Sequence, residues 1–332
     1  MLQELFRIPG TEIAINGFSV ALIVGFLCAS QLAKVLARRT GINPEIILNA
    51  GMIALLTGIV GARASHVFEN LSDYTDPTRS AWANFTDAIN IRSGGLTYYG
   101  GFLLGVPCTM AYGLWKRVPI RHGMDLMAPA LLVGLAFGRI GCFLNGCCYG
   151  AQCDLPWAVD FPYYSTAYVD QYNAEQLDAP DPLKFRTDDG RFVLTPPDLL
   201  EPDPLKRELA RQQHALPVHP AQLYSAFTAF LLAAVLVALF TLPHAQGSLF
   251  MLMLVLEGAS RFVLELLRAE PSVAESAWGG LSFSMIISLA LVAAGIVGWL
   301  VVRRMPPRKD VLSYQPADDA DKQHARGLAT RV

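Results

Sequence analysis

Seven stretches of about twenty mostly apolar residues run through this chain, approximately over 13–35, 46–66, 96–115, 124–144, 221–241, 248–267 and 279–302. Wound as helix at about 1.5 Å per residue, each run is long enough to cross a hydrocarbon layer roughly 30 Å thick. Lipid offers no partner to backbone N–H and C=O groups, so a spanning segment must satisfy them within itself, and each run is expected to be α-helical. Composition points the same way, with 53% hydrophobic and 16% charged residues among 332, where a soluble domain carries about 25% charged. The fold class expected is all-α, a polytopic membrane bundle of seven transmembrane helices with a small extracytoplasmic head. A formal net charge of −2 creates no basic field, and no nucleic-acid partner is expected.

The first ten residues are mixed in character, and the first apolar run continues past Val35. A cleavable leader would be shorter and begin with basic residues, so an uncleaved first span is expected. Short loops keep Lys and Arg on the cytoplasmic side. Lys34, Arg38 and Arg39 close the first run; Lys116, Arg117 and Arg121 lie between the third and fourth; Arg303, Arg304, Arg308 and Lys309 follow the seventh. Alternating spans put all three clusters on one side, so the N-terminus is expected outside and the C-terminus in the cytoplasm. Helices one to four then occupy 1–150 with an outer loop over 67–95, and the extracytoplasmic head occupies 151–218. Helices five to seven occupy 219–302, and the disordered tail 303–332. Trp157, Phe161, Tyr163, Tyr164 and Tyr168 provide aromatic mass to pack the first part of the head. The later stretch, with Asp181, Pro182, Pro196, Pro197, Pro202 and Pro204, is expected to be looser.

A charge deep in the bilayer costs roughly 3 to more than 10 kcal/mol, so each one invites a functional reading. Glu257, Arg261, Glu265 and Arg268 stand at steps of four, four and three in the sixth run, which places them on one helical face. A self-neutralising ion-pair ladder is one reading of that stripe. Arg139 is different: no acid lies within seven residues of it, so its partner has to come from another helix. It stands in Gly138-Arg139-Ile140-Gly141-Cys142-Phe143-Leu144-Asn145-Gly146-Cys147-Cys148-Tyr149-Gly150. The third run opens with Gly94-Gly95-Leu96-Thr97-Tyr98-Tyr99-Gly100-Gly101, and the fifth with His219-Pro220-Ala221-Gln222-Leu223-Tyr224. Helix packing alone accounts for glycine pairs, and His219 alone could be a boundary residue. With the orientation above, however, all these polar segments fall in the outer half of the membrane, whereas the inner halves are apolar.

In these segments the chain resembles the prolipoprotein diacylglyceryl transferase family, over nearly all of 13–302. The most specific match is Gly138-Arg139-Ile140-Gly141 continuing through Phe143, Asn145-Gly146 and Gly150. Gly94-Gly95-Leu96 with Gly100-Gly101, His219-Pro220 with Gln222-Leu223-Tyr224, and Arg261-Phe262 with Glu265 and Arg268 match in the same order. The resemblance implies a multi-pass protein of the bacterial inner membrane, with phosphatidylglycerol as donor, the lipobox cysteine of a preprolipoprotein as acceptor, and glycerol phosphate as leaving group. Membrane lipids are its surroundings, and no cofactor and no metal are expected. Tyr99, Arg139, Arg261 and Glu265 are the catalytic residues it implies; Arg139, Asn145, Gly150, His219, Gln222, Tyr224 and Arg268 are those for substrate binding. Guanidinium groups suit a phosphate, because they stay charged in a dry site and bind it bidentately. Two positions depart from the family pattern: Tyr99 stands where well-studied members carry histidine, and Cys142 where Asn is usual. A phenol of ordinary pKa near 10 is a poorer base than imidazole, so Tyr99 either acts with a lowered pKa or orients the substrate.

Six cysteines are present, at 28, 108, 142, 147, 148 and 153. Cys28 and Cys108 lie mid-span. Adjacent Cys147 and Cys148 lack the spacing of two Cys-x-x-Cys pairs, so a disulfide from either to Cys153 is the preferred expectation on an oxidising face. Competing readings are a transporter or channel lined by the 257–268 stripe, a structural or assembly protein of the membrane, and a catalytically altered relative of the family.

Overall fold

The computed structural model of the chain describes residues 4–7, 14–75, 79–90, 95, 97–187, 190–200, 202–268 and 281–305. Among these, seven helices have 18 residues or more: α1 Gly17–Thr40, α2 Pro44–Glu69, α4 Tyr98–Trp115, α5 Ile120–Asn145, α9 Ala221–Phe240, α10 Ser248–Glu265 and α11 Phe283–Arg304. Each coincides with one of the seven apolar runs, displaced by a few residues at the ends. Five of them, α1, α2, α5, α9 and α11, are long and apolar enough to cross a membrane by length and composition. The other two depart from that pattern for identifiable reasons: α4 carries three tyrosines and four glycines, and α10 carries the charges of Glu257, Arg261 and Glu265. Shorter helices are α3 Ala81–Ile89, α6 Thr166–Asn173, α7 Pro197–Leu200 and α8 Pro204–Arg211.

The chain is not wholly helical. Strands β1 Glu4–Arg7 and β2 Ala14–Asn16 pair antiparallel, as do β3 Lys184–Arg186 and β4 Phe192–Leu194, in register Phe185 with Val193. These short hairpins are additions to a mostly helical chain. They are too short to leave a period-two pattern in the sequence. Gly94, Leu96, Gly279 and the tail from Pro306 lie outside the described residues.

The helices present large apolar side chains outward. Leu22, Ile23, Leu27, Leu56, Val60, Leu103, Phe227, Leu231 and Val297 are all exposed. Water would penalise so many unburied leucines and phenylalanines, and hydrocarbon does not. The protein is therefore a multi-pass membrane protein.

Two compact units make up the molecule. The first draws on Met1–Ala29, Ala128–His244 and Ser248–Arg304. Its helices pack through small residues, as expected where no hydrophobic force drives apolar helices together. A Cβ on Gly258 would lie 2.9 Å from the Ser288 carbonyl oxygen, and one on Gly295 would lie 2.8 Å from the Met251 carbonyl oxygen, so α10 and α11 meet backbone to backbone. Likewise the first half of α1 lies on the second half of α5, where a Cβ on Gly25 would be 2.6 Å from Phe137 Cβ. Phe137 in turn meets Phe230 of α9 edge to face at 5.4 Å.

Described residues between 151 and 218 of this unit pack around a core of their own. Phe161, Tyr163, Tyr168, Leu183, Leu194, Leu200, Ala215 and Val218 share one buried core, with Tyr149 and Phe143 reaching it from the end of α5. The later, proline-rich part thus packs into the same core as the aromatic part, correcting the expectation of a looser segment. Leucines at 183, 194 and 200 supply its apolar contacts, and Asp203 caps α8 by accepting from the Leu205 and Lys206 amides. Tyr163 donates its hydroxyl toward the Leu183 and Thr195 carbonyls at 3.1 and 3.0 Å. Trp157, expected in the core, is 58% exposed instead.

The second unit draws on Ser30–Met127, Ala245–Gly247 and Met305–Val332. In it α2 and α4 cross with their glycines face to face: a Cβ on Gly61 would meet the Gly100 carbonyl and one on Gly100 the Gly61 carbonyl, while a Cβ on Gly101 would lie 3.0 Å from the Gly58 carbonyl oxygen. Close packing therefore accounts for the Gly100-Gly101 pair. Arg63 of α2 is buried and donates to three carbonyls, those of Asp87 at 2.7 Å, Ala88 at 2.8 Å and Gly95 at 3.0 Å.

Candidate active site

The site begins where α5 ends. Gly146 adopts a φ of +75°, and its amide and that of Cys147 return to the Phe143 and Cys142 carbonyls at 3.2 and 3.1 Å, an αL termination of the kind glycine supports. A side chain on Gly146 would lie 3.0 Å from Ser165 Cβ and 3.1 Å from the Phe161 ring, so the turn also needs glycine for space. Cys148 takes φ 59° without being glycine, a backbone state that costs an L-residue roughly 1 kcal/mol or more.

Two residues on, the chain is tied to two other helix ends. The Gly150 amide donates to the His219 carbonyl at 2.9 Å, the Ala151 amide to the Leu267 carbonyl at 2.8 Å, and the His219 amide back to the Ala151 carbonyl at 2.9 Å. Gly150 also pairs as an antiparallel bridge with Arg268. No room is left for a Cβ on Gly150, which would sit 2.6 Å from both His219 Cβ and the Leu267 oxygen. Gln222, 1% exposed, reinforces the knot by donating from Nε2 to the Cys147 carbonyl at 2.8 Å. Three sequence motifs, far apart in the chain, thus meet through backbone hydrogen bonds at the end of α5, the start of α9 and the end of α10.

The charged side chains gather at the same place. Glu265, buried on α10, pairs through Oε2 with Arg261 at 3.4 Å and Arg268 at 3.8 Å, and its Oε1 accepts from Ser282 at 3.3 Å. Arg261 also donates from Nε to Ser284 Oγ at 3.1 Å. The ion-pair reading of the α10 stripe thus describes Arg261, Glu265 and Arg268. Glu257 lies within electrostatic reach of Arg139 as well as Arg261, and Arg139 and Arg261 lie within reach of each other. Three bases against two acids leave an excess of positive charge in partly buried surroundings. Such a place binds an anion, because each guanidinium keeps its charge while the surrounding dielectric is low.

Cys148 lies beside the same cations. Its sulfur lies within 4.8 Å of those of Cys142 and Cys147 and within electrostatic reach of Arg139 and Arg268. His219 Nδ1 stands 3.4 Å from the Tyr224 hydroxyl, which accepts from Trp157 Nε1 at 2.8 Å. Of the residues singled out in the sequence, Arg139, Arg261, Glu265, Arg268, Gly150, His219, Gln222 and Tyr224 are drawn together, with Asn145 on the last turn of α5. Tyr99 belongs to the second unit, on the first turn of α4, with its side chain 57% exposed. Sequence reasoning passed over Ser282 and Ser284 altogether. It also overlooked Arg63, although a charge inside the second apolar run is the same signal that marked Arg139.

Fold and site together define a multi-pass membrane protein that gathers guanidinium groups where three helix ends are tied into one knot. The model of the family described as prolipoprotein diacylglyceryl transferase matches residues 3–301. A protein of Corynebacterium diphtheriae named phosphatidylglycerol–prolipoprotein diacylglyceryl transferase is 28% identical over 88% of this chain and 90% of its own length. One of Nostoc sp. with the same name is 27% identical over 92% of this chain and 94% of its own. The like-named protein of Rhodopirellula baltica is 33% identical over half of this chain, and the match spans 33% of that relative's length. The chain belongs to the prolipoprotein diacylglyceryl transferase family.

Proposed function

We propose that this protein transfers the diacylglyceryl group of phosphatidylglycerol to the lipobox cysteine thiol of a preprolipoprotein, forming a thioether and releasing glycerol phosphate. The observation that carries this reading is the convergence of Arg139, Arg261 and Arg268 at the Gly150–His219–Arg268 knot. The acceptor thiolate attacks the glycerol carbon that bears the phosphate; the carbon–sulfur bond forms, the carbon–oxygen bond breaks, and its electron pair goes to the phosphate oxygen. Arg139 and Arg261 hold that phosphate and stabilise the charge it gathers as it departs. Glu265 keeps Arg261 and Arg268 in position between them, while Gln222, Asn145 and Gly150 shape the turn that presents Arg139. His219 and Tyr224 line the entry to α9 for the lipid or peptide, and Tyr99 orients substrate.

The seven long helices are the seven spans. The head over 151–218 and the knot lie on the outer side, with the N-terminus outside and the C-terminus in the cytoplasm. The basic residues Arg38 and Arg39 at the end of α1, and Arg303 and Arg304 at the end of α11, support that orientation. The direct test is transfer of labelled diacylglycerol from defined lipids to a lipobox peptide by the purified protein. Arg139→Ala should lower the rate at least a hundredfold, on the order of 3 kcal/mol for one charge-assisted contact to a departing phosphate, with the helical content of the inserted protein unchanged. Normal turnover by a stable Arg139→Ala protein would remove this residue from the mechanism.

A further inference from the structure

The three thiols at the end of α5 have no part in the reaction above, since the acceptor brings its own sulfur. They form a tight group: the sulfurs of Cys142, Cys147 and Cys148 all lie within 4.8 Å of one another. Among the described residues all six cysteines are free thiols, and Cys153, the expected disulfide partner, is not in the group. A metal held by thiolates at about 2.3 Å has its sulfurs about 3.8 Å apart in tetrahedral geometry. The triangle therefore needs to contract by no more than about 1 Å to close on one ion.

The backbone that carries the triangle is held on several sides. The Cys147 amide donates to the Cys142 carbonyl at 3.1 Å, the Cys147 carbonyl accepts from buried Gln222 at 2.8 Å, and Cys148 is kept in the left-handed region. Preorganised ligands on a rigid frame are what a metal site requires. We propose that Cys142, Cys147 and Cys148 bind one soft, thiophilic divalent cation through their three sulfurs, leaving a fourth position open. The charges are consistent. Three thiolates and a divalent ion carry one net negative charge, and Arg139 and Arg268 lie within electrostatic reach of Cys148 to balance it. The spacing rule that disfavoured a metal here considered pairs along the chain; the helix end and the left-handed turn bring a third sulfur, five residues back, into the set. Because Arg139 is also the guanidinium assigned to the lipid phosphate, an occupied site engages it and slows transfer, a consequence that rests on the function proposed above.

Cadmium and zinc are the probes. Titrating reduced, full-length protein in detergent with cadmium should raise a thiolate-to-metal charge-transfer band that saturates at one ion per chain. Cys142→Ser and Cys148→Ser should each weaken binding at least tenfold, and Cys153→Ser should leave it unchanged. In the unmutated chain, zinc should shield these three cysteines from alkylation, read by mass spectrometry, which needs no variant to fold. Absence of the band, its persistence in Cys142→Ser, equal alkylation with and without zinc, or a disulfide between two of the three cysteines in the chain as isolated would each overturn the site. Transfer measured with the site filled should fall at least tenfold; a filled site with unchanged transfer would overturn the coupling to Arg139, and an unfilled one the site itself, whatever the transfer assay reads.

Discussion

Tyr99 and Arg139, both proposed to serve the reaction, differ sharply in their surroundings. Arg139 is surrounded: Glu257 and Arg261 on α10 and Cys148 on the following turn all interact with its charge. Tyr99 is largely exposed, on a helix whose glycines are committed to packing against α2. An orienting hydroxyl contributes one hydrogen bond, about 1 kcal/mol, so Tyr99→Phe should slow transfer only about fivefold, with the pH profile unmoved. Measuring the pH dependence of transfer by that variant checks it; a thousandfold loss with a displaced alkaline limb would make Tyr99 the base instead. The acceptor thiol, with an ordinary pKa near 8.5, already supplies a usable thiolate fraction beside arginines.

At the level of elements, the site depends on backbone joints more than on side chains. Gly150 has no space for a Cβ between His219 and Leu267, so Gly150→Ala has to push the α5 exit away from the starts and ends of α9 and α10. Overpacking of this kind costs typically 1–3 kcal/mol. Thermal unfolding should therefore occur at a lower temperature, and transfer should fall more than stability does because Arg268 moves with the bridge. Gly113→Ala, which meets nothing within 4 Å, is the matched control and should leave both unchanged. The head responds to pH through Tyr163. Burial, with Tyr168 beside it, raises its phenol above the ordinary value. The fold holds the neutral form, so the sign is that of a raised group: its contribution is complete below about pH 10, where an unfolded tyrosine begins to ionise, and is lost as pH climbs beyond it. Alkaline melts of the intact protein should show the head losing stability above that pH. Tyr163→Phe should lower stability at neutral pH by about 1–2 kcal/mol, since two carbonyls lose a donor, while flattening the alkaline decline.

Over the whole molecule, the distribution of charge decides orientation. Basic residues close α1 and α11 and lie between α4 and α5, while the head over 151–218 joins α5 to α9. In right-side-out vesicles an impermeant amine reagent should modify Lys206 in the head and spare Lys116 and Lys309. Modification of Lys116 or Lys309 from outside would invert the topology, and the donor lipid would then have to be drawn from the other leaflet. A path for ions across the bilayer, the competing reading of the α10 stripe, requires polar groups along its full depth. In this chain Glu265 instead ties Arg261 and Arg268 together in the last turns of α10, which suits a binding site at one end.

The sequence by itself determined the membrane as solvent, the long apolar helices and several of the residues that meet at the knot, because a charge or a glycine in an apolar run is costly or weak unless something specific requires it. Arg139 was legible in this way, and so was Gly150 through the motif that carries it. Tertiary structure alone decided that Glu257 comes within electrostatic reach of Arg139, that the late part of the 151–218 segment joins the aromatic core, that Arg63 holds three carbonyls of its unit, and that Cys142 completes a triangle with Cys147 and Cys148. Each of these is a contact between segments distant along the chain or brought together by a left-handed turn. Helical period and residue spacing describe neighbours within one element and carry no information about which other element a face will meet.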